Sequence, residues 1–293
     1  MIVITTPTGQ IGGHLVALLL ERDTQLRVIV RDASRLPADV RSRVEIVEGA
    51  HNDPAVLDRA LPGADAMFWL VPPNPAAPSA RAHYLDFARA GAAAVARHGT
   101  GHVVGVTSAG HGWAKPAGVL SAAFAMDVEL AASGAAYRAL SMPFYMDNML
   151  GQIGALSQGV LSLTCAADAP LATVATRDIA AAAADLLTDP SWRGQADVPL
   201  FGPDRLTPVQ MAAVIAEELG TPVEYRRMAM VDFERMLRGH GSSDQAVRDL
   251  IEMFASQDEG IYDDDWPKAQ LAPTDFRTWC REALAPAMRD AAA

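Results

Sequence analysis

The chain has 293 residues, of which 50% are apolar and 20% are charged, a balance typical of a folded globular protein and unlike that of a disordered one. A chain of this length can bury a substantial core, as one large domain or as two small ones. The formal net charge of −11 argues against nucleic-acid or anionic-membrane binding, because both need a basic surface.

The first half of the chain alternates short β-branched runs with Ala- and Leu-rich helical patterns. The predicted strands are Ile2–Thr6, Leu26–Arg31, Val44–Glu48, Asp65–Val71, His102–Thr107 and Tyr137–Met142. The predicted helices are Gln10–Arg22, Pro54–Leu61, Ala80–His98 and Val119–Ser133. Apolar runs without strict alternation are typical of strands covered on both faces. The pattern therefore predicts an α/β fold, a Rossmann-type doubly wound parallel sheet, over residues 1–150.

Residues 151–293 carry a looser pattern and no second nucleotide-binding signature. The predicted helices there are Thr176–Thr188, Thr207–Leu219, Met228–Leu237 and Ser243–Ser256, and an acidic, aromatic stretch follows at Asp258–Trp266. Thr207 suits an N-cap, Pro208 the first helical position and Gly220 the residue after the helix. We expect a smaller, mostly helical C-terminal region that covers the substrate and returns some segments to the sheet.

The first predicted strand runs directly into a glycine-containing turn, PTGQIGG at residues 7–13, and then into a helix. Gly9 lets the backbone approach a pyrophosphate, and Gly12 lets the helix pack closely against the strand. The N-terminus of the helix presents free N–H groups and a positive dipole end to the phosphates. The sequence therefore predicts a dinucleotide-binding turn, with cofactor contacts from Thr6, Thr8, Gly9, Gln10, Ile11 and Gly12.

The end of the second predicted strand indicates which dinucleotide is bound. In a Rossmann unit this end meets the adenosine ribose, where an acidic side chain takes the free 2′-hydroxyl of NAD and an arginine pairs with the 2′-phosphate of NADP. Arg31 and Arg35 favour NADP(H), and Asp32 between them leaves NAD(H) open. The alternative is that both arginines are solvated loop charges.

These segments resemble the NmrA-like proteins, an atypical branch of the short-chain dehydrogenase/reductases. The turn Thr6–Gly12 is similar to their GATGxxG motif. Further matches follow in the family's order at Val30–Asp32, Leu70–Pro73, Val106–Ser108, Glu129–Tyr137, Pro143–Asn148, Thr176–Ala180 and Gly202–Gln210. The resemblance implies a Rossmann domain that holds NADP(H) across the strand ends. It adds to the predicted cofactor contacts Val71, Pro72, Pro73, Thr107 and Phe144.

Several positions depart from the family pattern. Thr6 stands where the family has its first glycine, and Met142 where it has an arginine before the proline. Ala125 stands where catalytic members carry a lysine shortly before the glutamate of the helix. The YxxxK motif of the short-chain reductases is absent as well, because neither Tyr84 nor Tyr137 has a lysine four residues later. The usual proton donor is therefore missing.

Three side chains near the predicted strand ends are candidates for catalysis: Ser108, His111 and Tyr145. The Ser108 hydroxyl follows the fifth strand, and His111 is of the residue type that titrates near neutral pH. Each has a simpler alternative, as a turn hydroxyl, a surface-loop histidine or a core aromatic residue. Lys115 replaces the missing lysine only if its loop folds inward. A strongly electrophilic acceptor such as a quinone needs little beyond placement, since solvent can supply the proton.

The sequence thus predicts an NAD(P)H-dependent reductase of a small aromatic, quinone-like or biosynthetic molecule. Two alternatives stay open: a regulator that senses the NADP(H) redox state without turnover, and a non-redox biosynthetic enzyme on the same fold. Because Cys165 and Cys280 are far apart, neither a disulfide framework nor a metal site is expected. No signal peptide or membrane span is predicted, so we expect a cytoplasmic monomer or homodimer whose partner is a small-molecule substrate.

Overall fold

The computed structural model describes residues 1–292, and its elements follow the alternation expected from the sequence. The strands are β1 (Ile2–Thr5), β2 (Leu26–Val30), β3 (Glu45–Glu48), β4 (Ala66–Trp69), β5 (His102–Ser108), β6 (Ala136–Met142), β7 (Phe144–Tyr145), β8 (Val160–Leu163), β9 (Leu171–Val174), β10 (Gln195–Phe201), β11 (Arg205–Leu206), β12 (Glu224–Arg227) and β13 (Gln270–Leu271). The helices are α1 (Gln10–Glu21), α2 (Ala38–Arg41), α3 (Pro54–Ala60), α4 (Ala80–His98), α5 (Val119–Ala131), α6 (Ile153–Leu156), α7 (Thr176–Thr188), α8 (Pro208–Leu219), α9 (Met230–Gly239), α10 (Asp244–Asp258), α11 (Phe276–Trp279) and α12 (Ala285–Ala292). Every predicted strand and helix is found within about two residues of its expected bounds.

Eight strands form one parallel sheet in the order β13-β10-β6-β5-β4-β1-β2-β3. Helices α1 and α7 pack on one face, and α3, α4 and α5 pack on the other. The stretch β3-β2-β1-β4-β5-β6 is the doubly wound order, and its switch point lies between β1 and β4. The predicted Rossmann-type α/β fold is confirmed.

The central strands are buried because their side chains meet a helix layer on each face. In β1, Ile2 and Ile4 join the core under α1 and α7, whereas Val3 joins the core under α3, α4 and α5. All three are at most 5% exposed. Full burial of each such side chain stabilises the folded state by about 1.5–3 kcal/mol. Because side chains on both faces of the strand are buried, the strand sequences are continuous apolar runs.

The chain after residue 150 both extends the sheet and builds a second core. Strand β10 pairs with β6, and β13 pairs with β10. The remaining strands form two small sheets, β11-β9-β7 and β12-β8. Helix α8 begins with a capping box, in which Thr207 and Gln210 exchange hydrogen bonds of 2.9 and 3.2 Å. The division into domains near residue 150 stays a prediction. No helix within residues 1–292 has the length and apolar character needed to span a membrane.

Candidate functional site

The turn between β1 and α1 brings the backbone of the helix very close to the strand. Gly9 N donates to Thr6 O at 3.0 Å, and Gly13 N donates to Gly9 O at 2.8 Å. A Cβ on Gly12 would lie 2.1 Å from Thr6 O, so only glycine allows this approach. Because no side chain among residues 1–292 caps α1, the N–H groups of its first turn are available to an anion. The turn therefore fits the pyrophosphate of a dinucleotide.

Thr6 keeps the backbone shape that a glycine would give the turn. Its φ is +51°, in the left-handed region that a β-branched residue adopts at a cost of about 1–2 kcal/mol. Its hydroxyl is buried and has no hydrogen-bond partner among residues 1–292. Thr6 is thus accommodated at the place of the family's first glycine, but under strain.

The loop after β2 presents two exposed arginines. Arg31 and Arg35 are both exposed, and Asp32 lies between them. The Oδ1 atom of Asp32 accepts hydrogen bonds from Ser34 Oγ at 2.7 Å and Ser34 N at 2.9 Å, and these bonds lower the pKa of Asp32. With two exposed guanidinium groups, the loop fits the 2′-phosphate of NADP(H).

The loop after β4 lies beside the dinucleotide turn, at the switch point of the sheet. Thr5 Oγ1 accepts a hydrogen bond from Leu70 N at 3.0 Å and so ties the end of β1 to the end of β4. Val71 is buried, Pro73 is exposed, and the carbonyl of Pro72 accepts from His83 Nε2 at 3.0 Å. The predicted contacts at 71–73 are thus held where ligands of doubly wound sheets bind.

A cavity of about 690 Å³ lies between the chain that follows β6 and the C-terminal helices. Its wall is mostly apolar and includes Phe144, Leu163, Leu171, Met228, Phe233 and Phe254. Polar groups reach it from Asn148, Gln152, Arg205 and Gln257. A volume of this size accommodates a small polycyclic molecule. Phe144, predicted as a cofactor contact, lines the cavity.

Three tyrosines gather where the cavity meets the strand ends: Tyr84 from α4, Tyr145 from β7, and Tyr262, which follows α10. Burial raises the pKa of Tyr145, and the neighbouring Tyr84 and Tyr262 raise it further. Burial also raises the pKa of Tyr262, against the opposing effect of Ser108 and Gln257 beside its hydroxyl. Gln257 Nε2 donates to that hydroxyl at 2.9 Å. Of the three phenols, Tyr262 lines the cavity.

A buried acid–histidine network lies between β5, α5, β6 and β10. Asp127 accepts hydrogen bonds from Thr107 Oγ1 at 2.6 Å, from the Tyr137 hydroxyl at 2.5 Å and from His111 Nε2 at 2.9 Å. On its other side, His111 Nδ1 lies 3.3 Å from Asp197 Oδ2. The Thr107 hydroxyl is therefore directed at α5, so a contact between Thr107 and a cofactor would use its backbone.

His111 is held as a cation within this network. Burial lowers the pKa of His111, but the hydrogen bond to Asp127 and the negative charges of Asp127 and Asp197 outweigh that effect and raise the pKa to about 10. The ring is thus protonated at neutral pH, with a carboxylate facing each nitrogen. This environment suits a side chain that fastens the β5–α5 loop more than one that releases a proton.

Sequence reasoning did not single out Asp127, Asp197 or Tyr262. The sequence does contain a local indication for Asp127, since it is a charged residue in an otherwise apolar stretch of α5. Tyr262 lies in the acidic, aromatic stretch Asp258–Trp266, for which the sequence predicted no role. Asp197 has no local signal, because its partners Ser141 (2.6 Å) and His111 are more than 50 residues away in the chain.

The fold and this site define a Rossmann-type dinucleotide-binding protein. A family model described as NAD(P)H-binding matches residues 7–190, and the chain belongs to this family. The match begins in the turn after β1 and ends after α7. The predicted NAD(P)(H)-binding character is confirmed, and the chain shares the fold of NmrA.

Curated relatives match most of the chain. An NAD(P)H azoreductase from Xenophilus azovorans is 26% identical, over 87% of this chain and 86% of its own length. Quinone oxidoreductase 2 from Escherichia coli K12 is 27% identical, over 92% of this chain and 93% of its own length.

Solved structures share the fold at lower identity. An NADPH-dependent quinone oxidoreductase from Escherichia coli, complexed with NADPH, has a TM-score of 0.78 and 23% identity, and the match covers 100% of both chains. A double mutant of NmrA has a TM-score of 0.72 and 16% identity, with coverage of 100% of this chain and 98% of its own.

Proposed function

We propose that the chain is an NADPH-dependent reductase of small aromatic or quinone-like molecules. The observation that carries this proposal is the cavity of about 690 Å³, whose aromatic and methionine wall begins at Phe144, beside the carboxyl ends of the sheet. Substrates of doubly wound enzymes bind at this edge. The relatives at 26% and 27% identity, an azoreductase and a quinone oxidoreductase, support the same reaction class.

Different residues at the strand ends would bind different parts of the cofactor. The backbone N–H groups at the head of α1 would bind the pyrophosphate, with Gly9 and Gly12 allowing its approach. Arg31 and Arg35 would pair with the 2′-phosphate and so favour NADPH over NADH. NADPH, when bound, supplies a hydride. The chain's own contribution is to hold the acceptor against the nicotinamide and to exclude water from the cavity.

The predicted catalytic residues take different roles in this proposal. Ser108, which ends β5 and lies beside Tyr262, would orient an acceptor group. Tyr145 would pack beside the nicotinamide. His111 is a positioning residue, because Asp127 and Asp197 fix it behind β5.

The test is to mix the purified protein with NADPH and a panel of acceptors: a quinone, an azo dye, a triphenylmethane dye and an aromatic ketone. We expect the absorbance of the reduced nicotinamide to fall with at least one acceptor, and faster with NADPH than with NADH. Tight NADPH binding without turnover across the panel would contradict the proposal and favour the redox-sensing regulator instead.

A further inference from the structure

A hydride acceptor of the ketone, imine or azo type needs a proton as well as a hydride. A positioned acid contributes about 10²–10⁴-fold to the rate of such a step. The chain lacks the YxxxK motif that supplies this acid in short-chain reductases. In the proposed reductase, a residue outside such a motif therefore has to donate the proton, and it has to face the cavity near the strand ends.

Tyr262 is the phenol that meets both requirements of position. It lines the cavity, and Ser108, the last residue of β5, lies beside its hydroxyl. Tyr84 and Tyr145 stand close by, but within residues 1–292 neither of them forms part of the cavity wall. Tyr262 thus stands at the junction of the cavity and the strand ends.

The hydrogen bonds around Tyr262 leave its proton free to move. Gln257 Nε2 donates to the hydroxyl oxygen at 2.9 Å, so that oxygen acts as an acceptor there and its O–H remains available to another acceptor. Ser108 Oγ, beside the phenol, donates its own proton to Ala109 O at 3.0 Å. Burial raises the pKa of the phenol, which keeps it protonated at neutral pH.

The segment around Tyr262 is fastened to the loop that follows β5. Asp265 Oδ2 accepts a buried hydrogen bond from Gly110 N at 2.6 Å. Ile261 packs so closely on Gly110 that a Cβ there would lie 2.5 Å from its side chain. Phe201 meets the phenol ring edge-on, with centroids 6.5 Å apart. The hydroxyl is therefore held in one place relative to the strand end.

We infer that Tyr262 is the catalytic acid of this protein, an inference that rests on the proposed reductase function. The acceptor's carbon or nitrogen gains a hydride, with its two electrons, from NADPH. The O–H bond of Tyr262 breaks as its proton moves to the acceptor's oxygen or neighbouring nitrogen. NADP⁺ and the tyrosinate remain, and water that enters the cavity after the product leaves returns a proton to the tyrosinate.

The variant Tyr262→Phe tests the inference, because it keeps the ring against Phe201 and removes only the hydroxyl. With an azo dye or aromatic ketone we expect kcat to fall about 100-fold. The Kd for NADPH, from fluorescence titration, should change less than about twofold. Tyr84→Phe is the matched control, since it removes one hydroxyl from a neighbouring, half-buried phenol outside the cavity wall, and its kcat should match that of the wild type.

A second variant separates an acid from a structural tyrosine. Tyr262→His introduces a group that is protonated below about pH 6.5, so part of the lost rate should return there and disappear at higher pH. A kcat of Tyr262→Phe close to that of the wild type, or no pH-dependent recovery in Tyr262→His, would overturn the role of Tyr262 while leaving the reductase intact. Wild-type protein that binds NADPH but reduces no acceptor would overturn both proposals.

Discussion

The close approach of α1 to β1 makes Gly12→Ala a demanding test of the dinucleotide turn. The added Cβ would lie 2.1 Å from Thr6 O and 3.1 Å from Pro7 Cα, whereas ordinary contacts begin near 3.4 Å. Because both atoms belong to the backbone, no side chain can move aside, and the turn must shift by about 1 Å. Overpacking of this kind costs about 1–3 kcal/mol, of which the better helix propensity of alanine returns about 1 kcal/mol.

The larger effect of Gly12→Ala should be on the cofactor. A shift of about 1 Å misplaces the N–H groups of the first turn, so we expect NADPH affinity to fall about 100-fold in isothermal titration calorimetry. Gly13→Ala is the matched control, since its Cβ would meet only Pro7 O, at 3.8 Å. That variant should bind NADPH like the wild type. Wild-type affinity in Gly12→Ala, or an equal loss in Gly13→Ala, would refute the reasoning.

Three further predictions concern strain, cofactor choice and pH. Thr6→Gly removes a strained, β-branched residue with an unpaired hydroxyl, so the melting temperature should rise by about 2 °C; an unchanged value would show that the turn is relaxed. Arg31→Ala should weaken NADPH binding about tenfold and spare NADH, and equal losses in calorimetry would contradict the assigned preference. The pKa of His111 is raised from 6.5 to about 10, so its stabilisation, at most about 5 kcal/mol before solvent screening, is complete below pH 6.5 and lost as the pH rises through 10. Urea unfolding of the wild type and His111→Gln should therefore converge at high pH, whereas a constant difference would rule out this role.

Features fixed by neighbouring residues were predictable from the sequence. The turn follows β1 immediately, and the backbone geometry of this turn explains the glycines at positions 9 and 12. Helix α8 shows the same locality, since Thr207, Pro208 and Gly220 mark its ends within the sequence itself. Such signals need no knowledge of which segments meet later.

Features assembled from distant segments were not predictable in this way. Strand β10 was not located, because its first residues are exposed and only pairing with β6 makes it a strand. The acid–histidine network joins Thr107, His111, Asp127 and Asp197 from three elements and a loop, and no spacing rule connects them. Tyr262 lies beside Ser108 although about 150 residues separate them in the chain, so this proximity is set only once the C-terminal region packs on the sheet.

A crystal structure with bound NADPH would test most directly whether the turn, the strand ends and the cavity form a single site. We expect the pyrophosphate to lie over the first turn of α1, and the nicotinamide to lie between Ser108 and Phe144 with one face open to the cavity and to Tyr262. A dinucleotide bound away from the turn, or a nicotinamide shut off from the cavity, would contradict this arrangement.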